Sequence, residues 1–146
     1  MSSALSIYSL AGAARNFYRD RHSTEEQAHG RLGEDLAHRF LRRQGLTIVA
    51  RNFHQRAGRG ELDIVARDRG VLVFVEVKTR ATAAFGSPAR AVDRDKEKDL
   101  RRAAHEYLRR AGSDPHLARF DLVNIVLSEP PAIEWIPDAF PLSRTL

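Results

Sequence analysis

ELDIVARDRGVLVFVEVKTR, Glu61 to Arg80, is the stretch on which the fold turns. Two segments rich in β-branched residues, Glu61 to Arg67 and Val71 to Thr79, flank Asp68, Arg69 and Gly70, residues suited to a tight turn. The pattern predicts a β-hairpin. Its second arm carries Val71, Leu72, Val73, Phe74 and Val75 without interruption, as a strand covered on both faces does. Glu76 and Lys78 follow at once. Charge arriving where a buried strand emerges is costly unless it is paired, and the ends of sheets are where α/β folds place their sites.

Alternate residues of a strand share a face, so Glu61 goes with Asp63 and Glu76 with Lys78. Whether the two faces coincide depends on the turn. An even connection, Arg69-Gly70 or Asp68 to Val71, sets Asp63 opposite Glu76 and Glu61 opposite Lys78. An odd one sets Asp63 opposite Val75 and separates the acids. Cross-strand neighbours hold their Cβ atoms about 4.5–5.5 Å apart, so two carboxylates there repel unless a proton or a cation intervenes. Two readings stay open. One is a divalent-cation site, with the Val77 carbonyl as a further oxygen. The other is a salt-bridge cluster of Glu61 with Lys78 and Asp63 with nearby arginines.

On the amino-terminal side, Ser23 with Glu26 makes a capping box and Gly45 a terminator, which bounds a helix. Its apolar stripe is Ala28, Leu32, Leu36, Ala37, Phe40 and Leu41. Glu34 stands at the edge of that stripe, apart from the solvent-facing Arg31, Asp35, His38 and Arg42. Leu46 to Phe53 reads as a strand, followed by a loop with Arg56 and Arg59. Beyond the hairpin, a second helix runs from an Asp93 cap to Gly112, with Leu100, Ala103, Ala104, Tyr107, Leu108 and Ala111 inward and several arginines outward. Phe120 to Leu127 is a strand, and Ile133 to Ile136 a short edge strand before a tail containing Pro137. The order α-β-β-β-α-β-β implies an α/β fold, a mixed sheet flanked by helices, in a single domain from residue 23 to 146. Residues 1–22, with Asp20 their one acid and Arg15, Phe17, Tyr18 and Arg19 among them, read as an arm outside that domain.

The 146 residues are 42% hydrophobic and 29% charged, ordinary for one globular domain. No apolar run approaches the roughly 20 residues of a membrane helix, so no membrane partner is expected. With no cysteine, disulfides, thiolate zinc sites and thiol nucleophiles are excluded; a reducing, cytoplasmic setting fits. Any metal must take oxygen or imidazole ligands, which points to Mg²⁺ or Mn²⁺, and the six histidines show no ligand spacing. The net charge of +5 favours a polyanionic partner. Lysine is scarce among the 24 cations: Lys78, Lys96 and Lys98 alone. A lysine inside a buried-looking strand implies a use for a compact ammonium. Asp121, in a strand, reads as the partner of an arginine, and Trp135 and Tyr107 as core.

Gly60 to Ala66 followed by Val73 to Arg80 resembles the YraN-like family, a branch of the PD-(D/E)xK, restriction-endonuclease-like superfamily related to Holliday-junction resolvases. Gly33-Glu34 in the first helix, Arg51-Asn52-Phe53, Phe85-Gly86-Ser87-Pro88, Ala91-Val92, Lys96 and Arg119-Phe120-Asp121 follow in the family's order. The resemblance implies a restriction-endonuclease-like fold, with Asp63 and Glu76 as metal ligands and Lys78 as the catalytic lysine. It also implies Glu34 as a helix-borne acid, binding the metal directly or through water, and Lys96 as a phosphate contact. Leu62 stands where the superfamily's nominal proline would. Arg59 and Arg80 flank the motif as further candidate contacts to nucleic acid. The function implied is a Mg²⁺- or Mn²⁺-dependent endonuclease acting on structured or branched DNA, as a possible homodimer. A catalytically weak nucleic-acid-binding accessory protein on the same scaffold is the alternative.

Overall fold

A computed structural model describes residues 25–82 and 92–143. The expected arm, the Ser23 cap and the Phe85-to-Pro88 segment lie outside these. The elements are α1 (Glu25–Arg43), β1 (Thr47–His54), β2 (Glu61–Asp68), β3 (Val71–Arg80), α2 (Arg94–Ala111), a 3₁₀ turn (Pro115–Leu117), β4 (Ala118–Val126) and β5 (Ala132–Phe140). They follow the predicted order. The five strands form one sheet in the order β1-β2-β3-β4-β5, antiparallel except for the central parallel pair β3–β4. Among the described residues, no helix is long and apolar enough to cross a membrane.

The sheet is packed on both faces. Ala37 and Leu41 of α1 meet Ile64, Ala66, Val73, Val75, Val123 and Ile125. On the other side Leu100, Ala103, Ala104 and Leu108 of α2 meet Val65, Leu72, Phe74, Phe120 and Leu122. Alternation along β3 is therefore strict, with Leu72 and Phe74 under α2 and Val73 and Val75 under α1. That places Glu76 and Lys78 on the α2 side.

Four expectations are corrected. Ala111 does not face the core; it is exposed in the last turn of α2, where the helix runs out past the sheet. Leu32 is not in the apolar stripe; it is 44% exposed. The buried line of α1 is Gly33, Ala37 and Leu41, because the helix comes closest to the sheet at a residue without a side chain. A Cβ on Gly33 would overlap the Thr79 hydroxyl and lie 2.8 Å from Thr79 Cβ. The last strand is longer than Ile133 to Ile136 and contains Pro137. A proline fits there because β5 is an edge strand and its register shifts near this point, with Asp138 at φ 51°. Glu61 does not pair with Lys78: the β2–β3 ladder ends at Ile64–Val75, and Glu61 pairs with His54 of β1 instead.

Asp121 and Trp135 behave as expected. The fully buried Asp121 carboxylate accepts from Arg119 at 2.9 and 3.1 Å, from Trp135 Nε1 at 2.9 Å and from the Asp138 amide at 2.9 Å. Tyr107 packs edge-on against Phe53 and Phe74.

Gly33→Ala is expected to lower stability by about 1–3 kcal/mol, the usual cost of forcing a methyl into filled space. Thr79→Ala in that background recovers part of the loss. Urea unfolding of the two single variants and the double variant measures the coupling; strict additivity would remove this contact as the cause.

Candidate active site

The turn is even. Arg69 and Gly70, both at positive φ (50° and 85°), form the two-residue connection, and Asp68 pairs with Val71. The register then runs Arg67–Leu72, Ala66–Val73, Val65–Phe74 and Ile64–Val75. One step further would set Asp63 opposite Glu76, but the paired ladder ends at Ile64–Val75.

At that step the ladder gives way. Counting by twos from the turn, Val77 would next exchange backbone hydrogen bonds with Leu62. Its N–H instead donates to Asp63 Oδ2 at 2.8 Å. Around Asp63 the strand turns its faces over: Leu62 belongs to the core under α2 and Ile64 to the core under α1. The intervening side chain is thereby directed along the sheet, toward β3. The same switch occurs on β1, where Phe53 pairs with Leu62 and Arg51 with Ile64, with Asn52 between them at φ 52°. A residue's N–H and C=O face the same neighbour in an antiparallel strand, so the Val77 carbonyl looks into the opening beside Asp63.

The two acids behave as one unit. Burial pushes the Glu76 carboxyl up to about 8, helped by the charge of Asp63 and opposed by Lys96 and Lys78. Burial also raises Asp63, against the Val77 amide and a hydrogen bond from Glu76. In the metal-free protein, then, Glu76 keeps a proton and shares it with the Asp63 carboxylate. Glu76 Oε1 lies 3.6 Å from Lys96 Nζ. Its Oε2 is buried and has no hydrogen-bond partner.

Other predicted residues fall at different distances from this pair. Lys78 follows Glu76 on the same face, in register with Asn124 of β4. Lys96, expected at phosphate, reaches across from the first turn of α2 to Glu76. Glu34 approaches from α1: burial, and next the charge of Asp63, push it up to about 7. It is held by Arg51 at 3.6 Å, while Arg51 also bonds Asp35 at 2.8 Å. Arg51 was legible only as part of a strand end; nothing in its spacing marks it as Glu34's partner. Among the described residues, no three acidic or histidine side chains converge closely enough to hold an ion, so Glu34 stands outside the pair. Arg80 ends β3, with its carbonyl accepting from the Leu127 amide at 2.8 Å. Arg59 is exposed in the β1–β2 turn.

The residues present fit a hard divalent cation. The donors are all oxygen: two carboxylates and the inward-facing Val77 carbonyl. One carboxylate oxygen is buried without a partner, a state that costs free energy until a proton donor or cation satisfies it. Mg²⁺ is commonly held by one or two protein carboxylates, with water and phosphate completing its shell.

Comparison with known proteins gives the family. Residues 33–125 match the model of the Uncharacterised protein family UPF0102, a span that includes Glu34, Asp63, Glu76, Lys78 and Lys96. A UPF0102 protein of Solibacter usitatus is 55% identical over 112 residues, covering 77% of this chain and 85% of its own. One from Desulfosudis oleivorans is 45% identical over 116 residues, covering 80% and 92%. Another, from Rhodococcus jostii, is 45% identical over 115 residues, covering 77% and 96%. The chain belongs to UPF0102, the YraN-like group of the restriction-endonuclease-like superfamily.

Proposed function

We propose that this protein hydrolyses phosphodiester bonds in structured or branched DNA, with Mg²⁺ or Mn²⁺ held by Asp63 and Glu76. The observation that carries this reading is the meeting of two buried acids where β2 and β3 part, one of them with an unpartnered oxygen. When bound, such a cation supplies a nucleophile at neutral pH and neutralises charge on the phosphoryl oxygens.

The chain's own residues have distinct tasks. Asp63 is fixed by the Val77 amide, so one oxygen is anchored and the other left for the cation. Glu76 would release its proton to solvent and serve as a second hard ligand, and the Val77 carbonyl would add a neutral oxygen. Lys78, on the same face, offsets the negative charge that grows as phosphate is attacked. Glu34, beyond the pair, acts through water. Lys96 stands exposed beside Glu76, placed to meet an incoming phosphate. The excess of cations supports a nucleic-acid substrate, with Arg59 and Arg80 as candidate backbone contacts. Cutting two strands of a branch calls for two sites, hence a homodimer.

Two expectations follow for the metal-free and metal-loaded protein. The folded state holds the Glu76 proton up to about pH 8, whereas an ordinary glutamate loses it near 4.5. Between those values the folded form binds more protons than the unfolded form, so stability falls as pH rises. Glu34, raised from 4.5 to about 7, adds in the same direction. In chelator, the urea midpoint should therefore drop from pH 5 to pH 8. Glu76→Gln should flatten most of that slope and be the more stable protein at pH 8, by on the order of a few kcal/mol. Saturating Mn²⁺ at pH 8 should raise the wild-type midpoint and leave Glu76→Gln little changed. An unchanged wild-type midpoint in Mn²⁺ counts against the cation site.

The activity itself is tested with labelled junction, flap, single-stranded and duplex DNA and RNA in Mg²⁺ or Mn²⁺. Asp63→Asn preserves an acceptor for the Val77 amide while removing the charge. It should reduce cleavage by at least about a hundredfold, with DNA affinity largely kept. Lys78→Ala should also lose cleavage. Wild-type protein that binds these substrates and cuts none would establish the accessory-protein reading instead.

A further inference from the structure

The outer face of α2 is built from cations that no local need explains. The helix carries seven arginines and lysines against four acids, a net +3 in a chain of net +5. Leu100, Ala103, Ala104 and Leu108 point into the core. At about 100° per residue, Arg94, Lys98, Arg102, His105 and Arg109 fall on the opposite side, within an arc of about 80° and over about 22 Å. The four cations of this row are exposed. The acids stand on its flanks, Asp95, Asp99 and Glu106 on one and Glu97 on the other. Glu97 is bonded to Arg101 at 2.8 Å, and Glu106 accepts from the Arg56 amide at 3.0 Å.

Arg109, like Arg110, suits the negative end of the helix, where a cation is stabilising. That reason fails for the others. Arg94 stands in the first turn, at the positive end, and Lys98 and Arg102 lie inside the helix. Arg94–Lys98 and Lys98–Arg102 are like charges four residues apart, a spacing that weakens a helix. Among the described residues, no carboxylate forms an ion pair with any of the three. Lys96 and Arg101, by contrast, are occupied: Lys96 by Glu76 at 3.6 Å, Arg101 by Glu97 and the Pro141 carbonyl. The row works against its own helix and calls for a negative partner from outside.

Its position says where that partner leads. Lys96, in the first turn of α2, reaches Glu76, so the row begins at the turn that meets the acid pair. A groove of about 640 Å³ runs beside it, lined by Arg94, Lys98, Arg101, Arg102 and His105, with Asp95 and Glu97 as its acids and Leu142 at its border. On the other flank the β1–β2 turn is pressed against the helix, since a Cβ on Gly60 would overlap the Asp99 carbonyl. The Arg56 and Arg59 side chains of that turn are exposed.

We propose that the outer face of α2, Arg94, Lys98 and Arg102 above all, is the surface on which a duplex arm of DNA docks through its phosphate backbone. This rests on the reading of DNA as substrate, and not on its cleavage. The row is straight, and its cations recur about every 6 Å, which suits a stiff polyanion. It carries no aromatic side chain: the helix's one aromatic, Tyr107, is turned inward against Phe53 and Phe74. Single strands are gripped by stacking their bases on aromatic rings. A face of cations alone holds a duplex by its phosphates, without regard to sequence. At the amino-terminal end of α2 the docked backbone arrives at Lys96 and the acid pair.

Binding is measured in chelator with the full-length protein, by anisotropy of a labelled DNA duplex and of one of its strands across a range of salt. Arg94→Gln, Lys98→Gln and Arg102→Gln together remove three charges from the row. Arg39→Gln, Arg42→Gln and Arg43→Gln together remove three from exposed positions near the end of α1, on the other face of the sheet. The α2 variant should bind duplex at least about tenfold more weakly at moderate salt. Its slope of log affinity against log salt should be shallower by roughly 2 to 3, the share of three phosphates. Its urea midpoint should hold or rise, because like charges are removed. Should the midpoint fall, Lys98→Gln and Arg102→Gln alone carry the test, each with a slope change of about one. The α1 variant should change affinity and slope little. Equal losses in the two variants, an unchanged slope in the α2 variant, or a wild type that holds a single strand as tightly as the duplex overturn the proposal.

Cleavage separates the docking surface from the nuclease. In an active enzyme the α2 variant should raise KM with kcat little changed, as expected when uniform binding is removed. Duplex binding lost in the α2 variant of a protein that cuts nothing supports the surface and defeats the nuclease. An active enzyme whose α2 variant keeps its KM and its affinity overturns the surface and leaves the nuclease intact.

Discussion

The arrangement depends on one exchange at the open end of the β2–β3 hairpin, where a side-chain carboxylate takes the place of a backbone carbonyl. A strand pair cannot separate inside a protein without stranding buried N–H and C=O groups. Here the Val77 amide is satisfied by Asp63, so β3 can stay in the sheet while β2 turns its faces over and continues against β1. The opening follows from this, and so does its polarity. Val77 turns its carbonyl into the gap, Glu76 donates a hydrogen bond to Asp63, and Asp63 is held in position with or without an ion. A carboxylate fixed by the fold loses little freedom when it takes a ligand, which is what preorganised sites require.

Close packing at the same end turns this geometry into electrostatics. Gly33 lets α1 approach Thr79 on one side, and Gly60 does the same for α2 on the other: a Cβ there would overlap the Asp99 carbonyl and crowd Ala103. With both helices drawn in, water is excluded above and below the strand ends. Desolvation is accordingly the largest cause raising Glu34, Asp63 and Glu76 alike. The helices do more than cover the sheet.

Much of this was readable in the chain, for identifiable reasons. The uninterrupted Val71-to-Val75 run reads as a strand packed on both sides, and the Arg69-Gly70 turn, by its even length, fixes the register from Asp68–Val71 to Ile64–Val75. Position 112 stops the second helix through a left-handed glycine. What was missed is tertiary. Hydrophobicity assigned Leu32 to the core, yet the closest helix–sheet approach is made by a residue with no hydrophobicity to count. An unbroken ladder would reach Glu61 and Lys78, whereas β2 turns its faces over at Asp63 and continues against β1. Pro137 looked like a terminator because its tolerance depends on β5 lying at the edge. No spacing signal shows that Lys96 stands against Glu76, and a lone asparagine such as Asn124 in an apolar strand carries none either.

Two buried acids in one sheet show what separates a structural carboxylate from one available for chemistry. Asp121 takes a forked pair of bonds from Arg119, a third from Trp135 and a fourth from the Asp138 amide. Both its oxygens are used, and no capacity remains for a ligand. Glu76, hardly more exposed at 7%, receives a lysine at 3.6 Å on one oxygen and no hydrogen bond on the other. The choice of cation accounts for the difference. A guanidinium would clamp both oxygens of Glu76 and hold them, whereas a point-like ammonium offsets charge through a single loose contact. In a chain that elsewhere prefers arginine, two of the three lysines, Lys78 and Lys96, stand where a carboxylate must be charge-balanced and still be able to bind something else.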